Sequence, residues 1–188
     1  MATTAGTSRE GISPMPDFSL PDVVTGRLFG RGDCIGKCGT LVVFLCRHCP
    51  YVVHMREELV NVANFLAPSG VQTVAISSND PVAYPEDSPE SLREMAVAGQ
   101  FSFPLLFDET QSVARAFGAE CTPDIFLYGA GLQLYYRGRL DESTPGNGKP
   151  ITGSEIRAAI SALLAGQAAP INPLPSIGCS IKWRRPHK

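Results

Sequence analysis

The chain has 188 residues, a length that suits one domain and allows a hydrophobic core to form without crosslinks. Apolar residues make up 44% and charged residues 18%, and the formal net charge is -2 at pH 7. These values are those of an ordinary globular protein. They argue against nucleic acid or an anionic membrane as a partner, and the apolar runs are too short to span a bilayer.

We predict that residues 1–14 form a flexible leader, which extends the domain at its N-terminus. The leader contains Ser, Thr and one Arg, but lacks the apolar segment of a secretory signal. We therefore predict a cytoplasmic protein, with an organelle transit segment as the alternative.

The stretches that follow predict a hairpin, a loop, a buried strand and a helix. The segment PDFSLPDVVTGRLF alternates and has a turn signal, and RGDCIGKCGT is rich in glycine. Residues 41–45 form an unbroken apolar run, which is typical of a strand buried on both faces. Pro50 suits the first turn of a helix. Apolar residues then recur at helical spacing, at Val52, Met55, Leu59, Val62 and Phe65.

Further strands and helices alternate along the rest of the chain. Short strands are predicted over residues 71–77 and 103–107, a hairpin over 125–128 and 132–136, and helices over 111–117 and 154–164. Ser88 suits the N-cap of a helix that starts at Pro89, and Thr152 or Ser154 suits the N-cap of the last helix. The acidic residues Glu86, Asp87 and Glu90 predict a solvated loop that carries no metal.

This order predicts an α/β fold with a central mixed β-sheet flanked by helices on both faces. We predict a single domain over residues 15–168 with an insertion in its middle. Residues 169–188 are rich in proline and predict an irregular tail that packs on the domain.

Two cysteines lie where the buried strand ends and the helix begins. Cys46 and Cys49 are separated only by Arg47 and His48. A helix N-terminus stabilises an anion and lowers the pKa of a thiol placed there. The position therefore predicts a redox dithiol in which Cys46 is the exposed attacking thiolate and Cys49, half-buried one turn into the helix, is the resolving thiol. His48 would favour the thiolate further.

Other arrangements of the six cysteines remain alternatives. Cys46 and Cys49 could be core residues, or could bind zinc together with Cys34, Cys38 and perhaps His48. The short spacing between the pairs disfavours zinc, so we predict no metal. Cys34 and Cys38 could pair, but solvent-facing thiols without function are favoured.

Two further cysteines are possible auxiliary thiols. Cys121 lies near a later Thr122-Pro123 step and either resolves a disulfide or packs, with packing favoured. Cys179 becomes a resolving thiol if the tail folds back over the dithiol, although a structural role is slightly favoured.

Several stretches of the chain resemble one protein family. They are PDFSLPD, CRHCPYV, NDPVAYPEDSPE, LLFDETQSVARAFGAECTPDIFL, YRGRLDES, PGNGKP and PSIGCSIKW. They are similar to the thioredoxin superfamily, in its peroxiredoxin-like, thiol-specific-antioxidant and TlpA-like branch. The resemblance implies a thioredoxin-like fold in which Pro123 is cis and faces the dithiol, and in which Thr122 and Pro123 form the substrate-docking edge.

The resemblance implies redox chemistry without naming a substrate. Together with the position of Cys46 and Cys49, it leads us to predict a thiol–disulfide oxidoreductase that needs no cofactor. Its partners would be protein or small-molecule disulfides and a thiol reductant system, and it would be a monomer or weak dimer. The alternatives are a thiol-dependent peroxidase and a non-catalytic redox sensor or binding module. Val43 and Gly39 stand where peroxiredoxins carry Thr and Pro, which disfavours the peroxidase. The buried Asp of thioredoxin is also missing from the strand before Cys46, so its role would fall to a residue elsewhere.

Overall fold

A computed structural model describes residues 3–5 and 13–185. In chain order the strands are β1 (Thr3–Ala5), β2 (Ser19–Pro21), β3 (Leu28–Gly30), β4 (Gly39–Phe44), β5 (Val71–Ser77), β6 (Leu105–Phe107), β7 (Cys121–Thr122), β8 (Asp124–Gly129), β9 (Leu134–Gly138) and β10 (Ile177–Ser180). The α-helices are α1 (Arg31–Cys34), α2 (Pro50–Leu66), α3 (Pro89–Ala98), α4 (Ser112–Ala116) and α5 (Ser154–Leu164). Short 3-10 turns cover Ala67–Ser69 and Pro85–Asp87.

The central sheet has five strands in the order β6-β5-β4-β8-β9. β4 runs parallel to β5 and antiparallel to β8, so the sheet is mixed, as predicted. Every residue of β4 is buried, and its side chains alternate between two cores. Leu41 and Val43 pack with residues of α2, α3 and α5, whereas Val42 and Phe44 pack with residues of α1 and α4. The prediction of helices on both faces is confirmed.

Most elements lie where the sequence predicts them, and the differences are local. β2 and β3 form the predicted hairpin, and α2 begins at Pro50. Phe65 is 66% exposed, because the buried stripe of α2 continues through Ala63 and Leu66 instead. The predicted glycine-rich loop contains helix α1, whose Cys34 is buried rather than solvent-facing.

The first turns of α3 and α5 are capped differently. The Ser88 side chain accepts a hydrogen bond from the Ser91 backbone N–H at 3.3 Å, as expected for an N-cap. At α5 the N-cap is Gly153, in the left-handed conformation with φ 60°. The predicted caps are therefore wrong: Ser154 is the first helical residue, and Thr152 lies one residue too early, although its Oγ1 accepts from the Ser154 N–H at 3.3 Å.

Ser88→Ala is expected to lower the free energy of unfolding by about 1 kcal/mol, because it leaves an N–H of the first turn of α3 without its acceptor. The matched control is Ser154→Ala, which removes an exposed hydroxyl that caps nothing and should change stability by only about a few tenths of a kcal/mol. Urea unfolding followed by circular dichroism measures both. Equal losses in the two variants would contradict the assignment of the caps.

The C-terminal segment is not wholly irregular, which corrects the prediction for residues 169–188. Its strand β10 pairs antiparallel with β7 on one side and with β1 on the other. Residues 3–5 of the predicted leader thus form a strand, whereas residues 1–2, 6–12 and 186–188 lie outside the described residues. The flexibility of the leader and the domain limits stay predictions. Within the described ranges, no helix is long and apolar enough to cross a membrane.

Candidate active site: a buried thiol pair

Cys46 and Cys49 lie in the short connection between β4 and α2, with Cys49 as the N-cap residue of the helix. Both residues are 0% exposed. The sequence predicted an exposed Cys46 and a half-buried Cys49 one turn into the helix, and both expectations are wrong. Cys49 precedes the first helical residue, Pro50, and Thr122 of β7 contacts both sulfurs.

Thr122 brings the two predicted parts of the site together. Its Oγ1 lies 3.2 Å from the Cys46 Sγ, and its carbonyl oxygen lies 3.0 Å from the Cys49 Sγ, whose thiol can donate to it. The Thr122-Pro123 peptide bond is cis, as the resemblance implies. The dithiol and the Thr-Pro step, 73 positions apart between Cys49 and Thr122, are therefore in direct contact.

The pKa values of the two thiols are shifted in opposite directions. The pKa of Cys46 is raised, first because its thiol donates a hydrogen bond to the Cys49 sulfur, then by burial and by the negative charge of Asp87. The same hydrogen bond lowers the pKa of Cys49 to about 5, against the opposing effect of burial. The Cys179 thiol and the backbone N–H of Val52 lower the pKa of Cys49 further. These hydrogen bonds favour the negative charge of the pair on Cys49, where the sequence predicted Cys46, whereas the Thr122 carbonyl, which accepts from the protonated Cys49 thiol, opposes it.

The reduced protein should gain thiolate absorbance at 240 nm as the pH rises through about 5, the pKa of Cys49. An ordinary cysteine ionises only near pH ~8.5. A spectroscopic titration between pH 4 and 10, within the range of stable folding, measures this step, with Cys49→Ser as the control that lacks it. A titration in which wild type and Cys49→Ser both ionise only near pH ~8.5 would contradict the assignment.

A buried carboxylate lies beside the dithiol, although the sequence predicted Asp87 as part of a solvated loop. The side chains of His48 and Asp87 are only 8% and 0% exposed, and His48 Nδ1 lies 2.6 Å from Asp87 Oδ2. Asp87 also accepts from the backbone N–H groups of Arg47 at 2.8 Å and His48 at 3.3 Å, and from the Asn79 amide at 2.7 Å. The His48 ring stacks on Tyr84 with centroids 5.3 Å apart.

Asp87 is a candidate functional residue that sequence reasoning missed. The one available signal was indirect, since β4 lacks the Asp that thioredoxin carries before its dithiol. Asp87 supplies a buried carboxylate from the 3-10 turn before α3 instead. Its charge raises the pKa of Cys46, so it acts on the dithiol directly.

Metal ligation at this site is limited by the hydrogen bonds already present. Within residues 13–185, Cys46, His48 and Asp87 offer potential ligand atoms that all lie within 4.8 Å of one another. The oxygens of Asp87 already accept from four donors, so a metal ion would have to displace them. The four-cysteine zinc alternative is wrong: Cys34 packs in the core on the other face of the sheet, and Cys38 is exposed.

The two auxiliary cysteines differ in what they contact. The Cys121 Sγ faces the carbonyl oxygens of Pro123 at 3.4 Å and Ser176 at 4.0 Å, and burial raises its pKa. Cys179 is opposite Thr122 in the β10–β7 pair and hydrogen bonds to the Cys49 sulfur. The geometry thus agrees with packing for Cys121, whereas it brings Cys179 to the dithiol.

A model of the AhpC/TSA family matches residues 13–137, which is most of the chain. The chain belongs to the AhpC/TSA family. Two solved structures resemble this chain over nearly the whole length of both proteins. An uncharacterized conserved protein from Geobacillus kaustophilus is 44% identical, with a TM-score of 0.96 and coverage of 100% of this chain and 99% of that one. A hypothetical protein from Sinorhizobium meliloti 1021 is 42% identical, with a TM-score of 0.93 and coverage of 97% and 99%.

More distant structures establish the fold. A putative thioredoxin from Neisseria meningitidis is 26% identical, with a TM-score of 0.57 and coverage of 77% of this chain and 87% of that one. Peroxidoxin BcpB from Mycobacterium tuberculosis is 18% identical, with a TM-score of 0.61 and coverage of 83% and 97%. No curated protein matches the chain. The fold is thioredoxin-like, as predicted, and the chain is a thioredoxin-like redox protein.

Proposed function

We propose that this AhpC/TSA family protein is a thiol–disulfide oxidoreductase whose Cys46 and Cys49 interconvert between a dithiol and a disulfide. The observation that carries the proposal is that both buried sulfurs contact Thr122, while hydrogen bonds from Cys46 and Cys179 lower the pKa of Cys49. A thiolate is the nucleophile in disulfide exchange. The reaction needs no dissociable cofactor, only a disulfide substrate and a thiol reductant.

The lowered pKa of Cys49 supports an order of attack that starts from that sulfur. The Cys49 thiolate attacks one sulfur of a substrate disulfide, so a mixed disulfide forms and the other substrate sulfur leaves as a thiol. Cys46 then attacks the Cys49 sulfur, which releases the second substrate thiol and closes the Cys46–Cys49 disulfide. Two external thiols reduce that disulfide again. This order reverses the one predicted from the sequence, which rested on the expected exposure of Cys46.

His48 and Thr122 assist the reaction of the thiol pair but are neither oxidised nor reduced. Asp87 holds the His48 ring beside Cys46, where the imidazole can exchange a proton with the thiol through a small movement. The Thr122 hydroxyl, 3.2 Å from Cys46, can donate to that sulfur when Cys46 carries charge as a leaving group. Both residues act directly on the Cys46 sulfur in this proposal.

The proposal is tested by oxidising the reduced protein with one equivalent of diamide and mapping its disulfides by peptide mass spectrometry. We expect a link between Cys46 and Cys49 that dithiothreitol reverses. The matched control is Cys38→Ser, which removes an exposed thiol away from the pair and should leave the link intact. Absence of any disulfide at Cys46 and Cys49 would contradict the proposal and favour a non-catalytic sensor or binding module.

A thiol-dependent peroxidase is the second candidate, and one contact favours it. The Thr122 hydroxyl beside Cys46 supplies a hydrogen-bonding group that the residues before Cys46 lack. A thiolate of the pair would attack one peroxide oxygen and become a sulfenic acid while water or an alcohol leaves. The other thiol would then condense with it, forming the disulfide and releasing water. Consumption of hydrogen peroxide by the reduced protein, measured by stopped flow, decides between the two activities.

A further inference from the structure

The C-terminal strand β10 brings a third sulfur to the thiol pair. Cys179 is opposite Thr122 in the antiparallel β10–β7 register, and Thr122 itself contacts the sulfurs of Cys46 and Cys49. Cys179 is 2% exposed and belongs to the same buried cluster as the pair. All three thiols therefore lie in one compartment shielded from water.

The backbone beside Cys179 is built for this close approach. A Cβ atom on Gly178 would lie 2.1 Å from the carbonyl oxygen of Thr122, so only glycine allows the two strands to come this close. Antiparallel pairing of β10 with β1 on one side and β7 on the other holds the strand in this register. The position of Cys179 relative to the dithiol is thus set by backbone packing as well as by its own side chain.

Cys49 occupies the middle of the three thiols. It exchanges hydrogen bonds with Cys46 on one side and with Cys179 on the other. A central sulfur with two sulfur neighbours can form a disulfide with either of them, and the two disulfides exclude each other.

We propose that Cys179 is a third catalytic thiol, which exchanges with the Cys46–Cys49 disulfide to give a Cys49–Cys179 disulfide. The inference rests on the proposed function of the dithiol. The Cys179 sulfur, once deprotonated, attacks the Cys49 sulfur. The Cys46–Cys49 bond breaks, the Cys49–Cys179 bond forms, and Cys46 leaves as a thiolate that takes up the proton lost by Cys179. No net oxidation or reduction occurs, so no further reactant is needed.

The Cys179 thiolate forms more easily in the oxidised protein than in the reduced protein. In the reduced protein burial raises the pKa of Cys179 to about 12, and its contact with the charged Cys49 contributes to the rise. Closing the Cys46–Cys49 disulfide removes that negative charge, which makes the Cys179 thiolate easier to form. The exchange frees Cys46 and fastens β10 covalently to the start of α2.

The experiment uses the full chain, oxidised with one equivalent of diamide, quenched in acid and mapped after alkylation of the remaining thiols. We expect two intramolecular disulfides in the wild type, Cys46–Cys49 and Cys49–Cys179, with Cys46 alkylated in molecules that carry the second. Cys46→Ser should form only the Cys49–Cys179 link. Cys46→Ser combined with Cys179→Ser should form neither.

Two single variants add a matched control. Cys179→Ser should abolish the Cys49–Cys179 link and keep the Cys46–Cys49 link, whereas Cys121→Ser, which removes a neighbouring buried thiol that faces carbonyl oxygens, should keep both links. A Cys46–Cys49 link without any Cys49–Cys179 link in either wild type or Cys46→Ser would overturn this inference and leave the proposed function standing. Absence of both links in the wild type would overturn the proposed function itself. The wild-type map decides the question even if Cys179→Ser fails to fold.

Discussion

Replacing Cys49 with serine is expected to reduce disulfide turnover to the rate of the uncatalysed reaction. The substitution removes the sulfur of the pair whose pKa is lowered by hydrogen bonds from Cys46 and Cys179. It also removes the sulfur that Cys46 and Cys179 share, so no neighbouring thiol can take over its disulfides. Turnover is measured by the reduction of insulin disulfides with dithiothreitol as the electron source.

Cys46→Ser provides the sharper test of the order of attack. With Cys49 as the first nucleophile, this variant should still react with a chromogenic disulfide. Combined with Cys179→Ser, which removes the other neighbouring thiol of Cys49, it should retain one substrate sulfur as a mixed disulfide on Cys49, visible by intact mass. Cys38→Ser, which removes an exposed thiol, should behave as wild type in both assays. If Cys49→Ser instead traps the mixed disulfide on Cys46 and Cys46→Ser does not react, the assigned order is wrong.

Asp87→Ala is expected to lower the free energy of unfolding by about 3 kcal/mol or more. The carboxylate is fully buried and accepts hydrogen bonds from His48, Asn79 and the backbone of Arg47. Its removal leaves those donors buried without their acceptor, and each such group costs roughly 1–3 kcal/mol. Glu86→Ala, at the exposed neighbouring position, is the matched control and should stay within about 0.5 kcal/mol.

The same variant has a second readout at the dithiol. Because the charge of Asp87 raises the pKa of Cys46, its loss should lower the pKa of that thiol. Denaturant unfolding and the titration at 240 nm measure the two effects separately. A stability equal to that of Glu86→Ala would show that the Asp87 network contributes little to the fold. An unchanged thiol titration would show that its charge does not reach Cys46.

Much of the architecture could be predicted because it depends on local pattern. The apolar run of β4, the helical spacing after Pro50 and the cap at Ser88 each reflect interactions between residues a few positions apart. The dithiol could be predicted for the same reason, since Cys46 and Cys49 lie close along the chain at a strand-to-helix junction. The cis Pro123 followed from the resemblance of a longer stretch to known relatives.

The chemistry of the site was decided by contacts between distant parts of the chain. Asp87 reaches the backbone of Arg47 across 40 positions, and no local pattern distinguishes it from its exposed acidic neighbours. Both sulfurs are buried and contact Thr122, which the sequence placed at the site without indicating these contacts.

The sequence by itself determined the fold class, the thiol pair and the Thr-Pro step that faces it. Only the tertiary structure decided which donors and acceptors surround each sulfur and that Cys179 contacts Cys49. The location of the charge depends on hydrogen-bond donors from α2, β10 and Cys46 that converge on Cys49. Electrostatic and packing effects of this kind depend on distances in space, and a one-dimensional pattern reports only distances along the chain.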